Sequence, residues 1–362
     1  MPIGTFCLTL HEQIIQMISR KIDEKAICKA KRLVDDAEHI VAVCHMAPDG
    51  DAIGSSLAAA HVLGALGKDC RVVVPDAYLS NLAKLPGAKE IVDATRYPDF
   101  AARLFREADL VLCLDFNEPR RVGRLEKVLR ECTAPKILID HHLHPDIDAE
   151  VVISHPEMPA TSYLMFRFFC RLELFNFINA QAAECMLAGM MTDTGNFSYN
   201  CSDPELYIVV AELLKKGADK ERLYRALFNT YSENCLRLNA YAILNRMEVY
   251  PEDGAALIVL SRDELNRYHY AKGDTEGLVN RPLSIPGIHY SAFLREEADM
   301  VKVSMRSVGD FPVNILCKEY FGGGGHLNAS GGEFYGTLDE AATLFRSLLK
   351  ENKKKYLANV KD

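Results

Sequence analysis

The sequence has no tryptophan, no long unbroken apolar run and no two cysteines in a Cys-x-x-Cys arrangement. Its most apolar stretch, 174–191, is interrupted by Asn176, Asn179, Gln181 and Glu184, so no membrane span is expected. The 11 cysteines are odd in number and scattered, which argues against a disulfide framework or a zinc ribbon. The first residues show no basic leader before an apolar segment, so we predict a cytoplasmic protein without a secretory signal.

Basic residues are also fewer than acidic residues. Lys+Arg number 42 against 50 Asp+Glu, a formal charge of -8, which disfavours a protein that coats long nucleic acids. The 362 residues, 49% of them hydrophobic and without a Gly-X-Y period, are typical of a globular chain with room for two domains. We therefore expect short anionic partners, no membrane partner and no long nucleic acid, while a homodimer stays an open alternative.

The first half of the chain alternates short apolar runs with helical patterns. An amphipathic pattern from His11 to about Asp36 predicts an opening helix. The strands are predicted at 39–44, 70–74, 109–114 and 136–139, with helices at 53–66 and 121–129 between them. Strand, helix, strand alternation predicts an α/β fold whose mostly parallel sheet is flanked by helices.

The pattern changes twice in the second half. It is helical from 160 to 247, where Asp203 and Pro204 begin a helix at 205–216 and Gly217 ends it. Strands are then predicted at 255–260, 289–294 and 300–305, and helices at 313–320 and 338–349. We predict a first domain over 1–233, a helical linker over 234–250 and a smaller α/β domain over 251–362.

A histidine and two carboxylates lie within seven residues, directly after the first predicted strand. They are His45, Asp49 and Asp51, and Pro48 and Gly50 allow the chain between them to turn sharply. The acids alone fit a turn in which Asp51 merely caps the next helix. The added histidine favours a metal site.

Two further strands are followed by ionisable residues. Asp115 follows the third apolar run, where a carboxylate costs free energy unless it is paired, hydrogen-bonded or metal-bound; capping the next turn is an equal alternative. Asp140, His141 and His142 close the fourth run. Because neighbouring strand residues point to opposite faces, we expect one histidine to bind metal and the other to face substrate, with Asp140 orienting a ring.

A fourth acidic position, Asp193, ends an apolar helix. Alone it fits an ordinary turn residue, but the helix dipole disfavours an acid there, and a bound cation would relieve it. Carboxylates and imidazoles without thiolates suit a pair of Mn²⁺ or Mg²⁺ ions, about 3.5–4 Å apart, that activate a water for attack on phosphorus. The predicted ligands are His45, Asp49, Asp51, Asp115, His141 and Asp193.

A glycine-rich segment marks the second domain. Glycines let backbone N–H groups approach an anion, and the histidine and serine that accompany them add donors. Such a run alone is often only flexible, but its polar residues and a nearby arginine at a strand end favour a phosphate cradle. The predicted substrate-binding residues are Arg306, Gly323, Gly324, Gly325, His326 and Ser330.

Together these motifs resemble the DHH phosphoesterase family in its DHH–DHHA1 branch. The matching segments follow the order of the family, at 45–55, 115, 140–142, 192–195 and 322–332. The resemblance implies that one Mn²⁺ is held by His45, Asp49 and Asp115 and the other by Asp51, Asp115, His141 and Asp193. Asp115 would bridge the ions, and His142 would contact a phosphoryl or leaving oxygen.

The chain is most similar to the nanoRNase/oligoribonuclease and 3′-phosphoadenosine-5′-phosphate phosphatase group. This implies a Mn²⁺-dependent enzyme, with Mg²⁺ as the other option, that hydrolyses linear dinucleotides to mononucleotides and takes 3′-phosphoadenosine-5′-phosphate as a further substrate. A cyclic-dinucleotide phosphodiesterase, an exopolyphosphatase and a non-enzymatic nucleotide sensor are the alternatives. Residues 143–146 and Asn196 depart from the pattern of the group and are candidates for tuning the substrate.

Overall fold

The computed structural model describes residues 21–229 and 231–357. The chain divides into two compact units, Met1–Thr230 and Tyr231–Asp362. Among the described residues, no helix combines the length and the apolar character needed to cross a bilayer.

The predicted opening helix lies partly outside the described residues. Within them, helix α1 (Glu24–Asp36) begins after Asp23, whose carboxylate accepts a hydrogen bond from the Ala26 amide. Residues 21–23 are not helical. The part of the prediction from His11 to residue 20 lies outside the described residues, and within them the helix begins at Glu24 because Asp23 caps it.

The first unit is built on a six-stranded parallel sheet with the strand order β3-β2-β1-β4-β5-β6. Its strands are β1 (His39–Val43), β2 (Asp69–Val74), β3 (Val92–Asp93), β4 (Leu110–Leu114), β5 (Lys136–Asp140) and β6 (Val151–Ser154). Side chains alternate between the two faces: Ile40 and Ala42 pack in one core, and Val41 and Val43 pack in the other. Burial on both faces explains why these strands read as continuous apolar runs.

Helices cover both faces of this sheet. They are α2 (Gly50–Ala65), α3 (Pro98–Glu107), α4 (Glu126–Glu131), α5 (Thr161–Arg171), α6 (Ala180–Asp193), α7 (Pro204–Lys215) and α8 (Lys220–Leu227). The predicted helix at 121–129 is wrong in its first part, where a 3₁₀ segment, Pro119–Leu125, precedes α4. Gly123 breaks the regular helix with a φ of 49°, which glycine adopts without steric cost.

The second unit contains a six-stranded mixed sheet with the order β11-β12-β10-β9-β8-β7. Its elements are α9 (Glu233–Arg246), β7 (Met247–Tyr250), β8 (Ala255–Leu260), α10 (Arg262–Arg267), β9 (Tyr290–Glu296), β10 (Val301–Ser307), α11 (Val313–Tyr320), β11 (Gly324–His326), β12 (Ala329–Phe334) and α12 (Leu338–Asn352). Within this second sheet, β8 and β9 pair in parallel and the other described strand pairs are antiparallel. Helix α9 covers most of the predicted linker and falls within this unit. The two α/β units confirm the predicted fold class.

Candidate metal centre

The motif residues gather at one edge of the first sheet, where the strand order reverses. Strand β1 lies between β2 and β4, so the connections that leave β1 and β4 run to opposite sides. In open α/β sheets this arrangement leaves a crevice at the carboxyl ends of the two strands. Residues 45–51 follow β1 and Asp115 follows β4. The topology therefore explains why residues far apart in sequence meet.

The first group of potential ligands consists of His45, Asp49 and Asp115, whose ligand atoms lie within 4.8 Å of one another. His45 Nε2 is 3.8 Å from Asp49 Oδ2 and 3.5 Å from Asp115 Oδ2. The other ring nitrogen, Nδ1, lies 2.8 Å from the Met46 carbonyl oxygen. Because Nδ1–H donates to this carbonyl, Nε2 is directed at the carboxylates.

The second group consists of Asp51, His141 and Asp193, again within 4.8 Å. His141 Nε2 is 3.3 Å from Asp193 Oδ2 and 3.5 Å from Asp115 Oδ1, while its Nδ1 lies 3.1 Å from the Met158 carbonyl. The two oxygens of Asp115 thus face one histidine of each group. This is the arrangement expected of a carboxylate shared by two ions.

Helix α5 supports two of these carboxylates through its first residues. The amides of Thr161 and Ser162 donate to Asp51, and the Thr161 hydroxyl donates to Asp115 Oδ1 at 2.9 Å. The positive end of the helix favours negative charge there. The sequence interpretation missed both residues, although two hydroxyl residues at a predicted helix start were the available signal. Asp49, and not Asp51, caps α2.

The carboxylates lie close together, and the basic side chains that face them are histidines. Among residues 21–229 and 231–357, no lysine or arginine forms an ion pair with Asp49, Asp51, Asp115 or Asp193. Burial and the Asp115 charge raise the pKa of Asp51, and burial and the Asp51 carboxylate raise the pKa of Asp193. Burial also opposes ionisation of Asp115, but the neighbouring histidines outweigh it and hold its pKa below the usual range. Despite burial, Asp115 and Asp49 raise the pKa of His45 to about 9.

This set of donors fits a pair of divalent cations. Carboxylate oxygens are hard ligands and imidazole nitrogens are borderline ones, and bound cations would offset the crowded negative charge. Asp115 is 1% exposed and has a φ of 64°, in the left-handed region that residues other than glycine adopt infrequently. Backbone strain of this kind concentrates at functional sites.

His142 lies on the same side as His141, contrary to the expectation that the two rings point to opposite faces. The ring centroids are 5.0 Å apart, and His142 Nδ1 is 3.9 Å from Asp115 Oδ1. Strand β5 ends at Asp140, so strand alternation does not extend to the histidines. Asp140 is buried, and its Oδ1 lies 2.7 Å from His142 Nδ1. The ring that Asp140 orients is therefore that of His142.

In the second unit, strand register brings Arg306 and His326 to one face of the sheet. Arg306 pairs with Ala329, which in turn pairs with His326, and directly opposite residues share a face. The small residues Ala329 and Gly331 lie between the flanking strands on this side. We call this surface, defined by Ser304, Arg306, Gly324, His326, Ala329 and Gly331, the Arg306 face.

The glycine-rich segment contains β11, a turn and the start of β12, and most of its glycines serve packing. A Cβ at Gly323 would lie 1.9 Å from the Gly331 carbonyl oxygen, and one at Gly325 would lie 2.6 Å from that of Ala329. At Gly324 a Cβ would meet nothing within 4 Å. Ser330 departs from the prediction, because it is 4% exposed and its hydroxyl donates to the His326 carbonyl. The structure thus separates Ser330 from the Arg306 face.

Two family models match the chain. The model described as "DHH family, N-terminal domain" matches residues 39–190, and the model described as "DHHA1 domain" matches residues 256–354.

Named relatives and a solved structure show the same similarity. The bifunctional oligoribonuclease and PAP phosphatase NrnA of Thermus thermophilus is 30% identical over 315 residues, which cover 82% of this chain and 85% of that protein. The cyclic-di-AMP phosphodiesterase GdpP of Bacillus subtilis is 25% identical over 331 residues, 89% of this chain but 49% of that protein. The crystal structure of an exopolyphosphatase-related protein from Bacteroides fragilis is 47% identical, with a TM-score of 0.90 over 92% of this chain and 98% of that chain.

Proposed function

The chain belongs to the DHH family and carries a DHHA1 domain in its second half, and we propose that it hydrolyses linear dinucleotides to mononucleotides. Membership makes it a phosphoesterase. The observation that carries the proposal is the meeting of two ligand groups at Asp115, whose oxygens face His45 and His141 at 3.5 Å each. Two cations bound by these groups would activate a water and neutralise charge on the phosphoryl oxygens, as attack on a phosphodiester requires.

We assign the resident cofactor as two Mn²⁺ ions, with Mg²⁺ as the alternative. One ion would be held by His45, Asp49 and Asp115, and the other by Asp51, Asp115, His141 and Asp193. When bound, such ions make a water nucleophilic and neutralise charge on the phosphoryl oxygens. The Met46 and Met158 carbonyls keep both metal-facing histidines in the tautomer that a ligand needs.

His142 is the candidate proton donor. Hydrolysis adds the elements of water across one P–O bond, so the departing oxygen must gain a proton as that bond breaks. Asp140 Oδ1 lies 2.7 Å from Nδ1 of His142 and holds that side of the ring. Nε2 is then the nitrogen that donates to the leaving or non-bridging oxygen.

The Arg306 face is the candidate binding surface for the nucleotide. A guanidinium and an imidazole stand on either side of small residues, which suits a phosphate beside a flat base. Gly324 leaves room for close approach of the substrate to the backbone. The glycine packing and the buried Ser330 limit the cradle to Arg306, Gly324 and His326.

Two alternatives rest on the relatives. The similarity to GdpP, named a cyclic-di-AMP phosphodiesterase, supports a cyclic dinucleotide as substrate, and that to the exopolyphosphatase-related protein supports polyphosphate. Polyphosphate requires the metal centre but not a surface for a base.

A side-by-side assay decides among these substrates. The full chain with Mn²⁺ is given pApA, cyclic di-AMP, 3′-phosphoadenosine-5′-phosphate or polyphosphate at equal concentration. We expect the largest kcat/KM for pApA, with AMP as product. A larger kcat/KM for cyclic di-AMP or polyphosphate would replace our proposal with that alternative.

A further inference from the structure

A cavity of about 500 Å³ in the first unit lies beside the turn that follows Asp193. It is lined by Asn196, Lys220, Glu221, Tyr224, Arg225 and Asn229. Asn196 comes from the turn, and the others come from α8 and the residues after it. We call this cavity the Lys220 pocket.

The turn is held in an unusual conformation. Gly195, Asn196 and Phe197 have φ values of 53°, 54° and 64° in succession. Asparagine tolerates the left-handed region, whereas a bulky residue such as phenylalanine rarely enters it. The Phe197 amide donates to the Thr194 hydroxyl at 2.9 Å, which helps to fix the turn. The backbone that carries Asp193 is thus tied to the position of Asn196 at the pocket.

Lys220 links the pocket to this turn. Its Nζ lies 3.2 Å from Asn196 Oδ1 and 5.7 Å from the centre of the Phe197 ring. Three Cα–Cα steps of about 3.8 Å place Asn196 within about 11 Å of Asp193. The ammonium has three N–H donors and uses one on Asn196, so it retains donors for an anion.

An aromatic ring and a second cation complete the pocket. The Tyr224 ring stacks on Phe228, with centroids 5.4 Å apart and an interplanar angle of 20°, and is 37% exposed. Arg225 Nη1 is 3.7 Å from Glu221 Oε2, an exposed pair that contributes little and leaves the guanidinium available. Proteins that bind nucleotides without strong sequence preference use cations to contact the phosphates and exposed aromatic rings to stack on the bases.

We propose that the Lys220 pocket is a subsite for one nucleotide of the dinucleotide substrate, distinct from the Arg306 face in the second unit. Lys220 binds a phosphate or ribose oxygen, and Tyr224 stacks on the base. This inference rests on the proposed function and deepens it, because it names the residues of the first unit that bind one nucleotide of the dinucleotide. It also gives Asn196 a role, since Asn196 positions Lys220.

The test compares two phosphodiesters on the full chain with Mn²⁺. One is pApA, and the other is bis(4-nitrophenyl) phosphate, which has neither ribose nor an adenine base. In Lys220→Met and Tyr224→Leu, we expect the ratio of kcat/KM for pApA to that for bis(4-nitrophenyl) phosphate to fall about tenfold. Lys127→Met, at an 83% exposed lysine side chain of α4, is the matched control and should keep the wild-type ratio.

The outcomes separate the pocket from the proposed function. An unchanged ratio in both pocket variants, with wild-type cleavage of pApA intact, overturns the pocket alone. An equal loss on both substrates overturns it too, because that would indicate damage to the nearby metal centre. Failure of the wild-type chain to cleave pApA overturns both the proposed function and the pocket.

Discussion

At the scale of single residues, the candidate metal centre depends on side chains that orient the ligands. His45 and His141 are each turned by a backbone carbonyl, and Asp51 and Asp115 accept hydrogen bonds from the first residues of α5. Thr161 contacts both acids, since its amide donates to Asp51 and its hydroxyl to Asp115. Positioning residues of this kind typically change metal affinity by one to two orders of magnitude.

Thr161→Val should therefore weaken metal binding. The variant keeps the shape and the amide but loses the hydroxyl that holds Asp115 Oδ1. We expect the Kd for Mn²⁺, measured by calorimetric titration, to rise about tenfold. Thr161→Ser retains a hydroxyl and should restore most of the affinity. Equal Kd values in the valine, serine and wild-type chains would show that the hydroxyl does not position Asp115.

The sequence predicted that the six residues follow strands or end a helix, and the structure has them at these places, because the carboxyl ends of parallel strands share one edge. Their role as metal ligands stays a prediction. It could not show that Asp49 caps α2 while Asp51 turns towards α5, since both acids fit either role. It also erred in separating the two histidines, because that expectation required β5 to continue past Asp140.

At the scale of elements, a close crossing of α2 and α6 holds Asp51 near Asp193. A Cβ at Gly54 would lie 2.5 Å from the Cys185 carbonyl oxygen, and one at Gly189 would lie 2.6 Å from Asp51 Oδ1. Both distances are shorter than any relaxed contact. The crossing thus requires glycine on each helix.

Gly54→Ala should destabilise the first unit, whereas Gly64→Ala on the same helix should not. At Gly64 a Cβ would meet nothing within 4 Å, so alanine gains roughly 0.5–1 kcal/mol of helix propensity. At Gly54 overpacking should cost about 1–3 kcal/mol. Thermal unfolding of the two variants should shift the midpoint in opposite directions, and equal midpoints would contradict the crossing.

In the second unit, Glu264 joins α9 to α10. It accepts hydrogen bonds from the Tyr241 hydroxyl at 2.5 Å and the Ser261 amide at 2.9 Å, and from Arg246. Burial opposes ionisation of Glu264, but these donors outweigh it and hold its pKa below the usual value. A carboxylate with a lowered pKa in the folded state stabilises the fold above its unfolded-state pKa of about 4.3, and this stabilisation is lost as the pH falls through the folded-state pKa.

Glu264→Gln should accordingly lower the thermal unfolding midpoint at pH 7, by an amount equivalent to about 1–3 kcal/mol. Below pH 4 the difference between variant and wild type should shrink, because the wild-type carboxylate gains a proton there. The check is a series of thermal unfolding measurements from pH 3 to pH 7. A difference that stays constant over this range would show that the charge of Glu264 does not contribute.

Elements of six or more residues with a clear apolar pattern were predictable from the sequence, whereas strands of two to four residues were not. The sequence specified 255–260 and 313–320 with the bounds that the structure has. It gave no signal for β3, which has two residues, or for β6, which is a short edge strand with one face exposed. The glycine-rich segment was interpreted as a phosphate cradle and its strands were not predicted, because pairing of β11 with β12 depends on close backbone contacts that a sequence does not display.

At the scale of the whole molecule, charge and the placement of cations favour short substrates. The chain carries a formal charge of -8 and has no tryptophan, whereas proteins that bind long single strands use basic grooves with stacking aromatic residues. We expect pApA to be cleaved at least tenfold faster than a 12-nucleotide strand at matched concentration and salt. Chromatography of the products should show mainly mononucleotides. Equal rates on both substrates would require an extended binding track and would contradict this account.

We propose that two divalent ions, sharing Asp115, make this chain a phosphodiesterase for dinucleotides. The decisive experiment is the hydrolysis of pApA while Mn²⁺ is titrated into metal-free protein, with bound metal measured at each step. Activity should rise to a plateau at two bound ions per chain, and Asp115→Asn should reach neither the plateau nor that stoichiometry. Full activity without metal, or near wild-type turnover in Asp115→Asn, would contradict the claim.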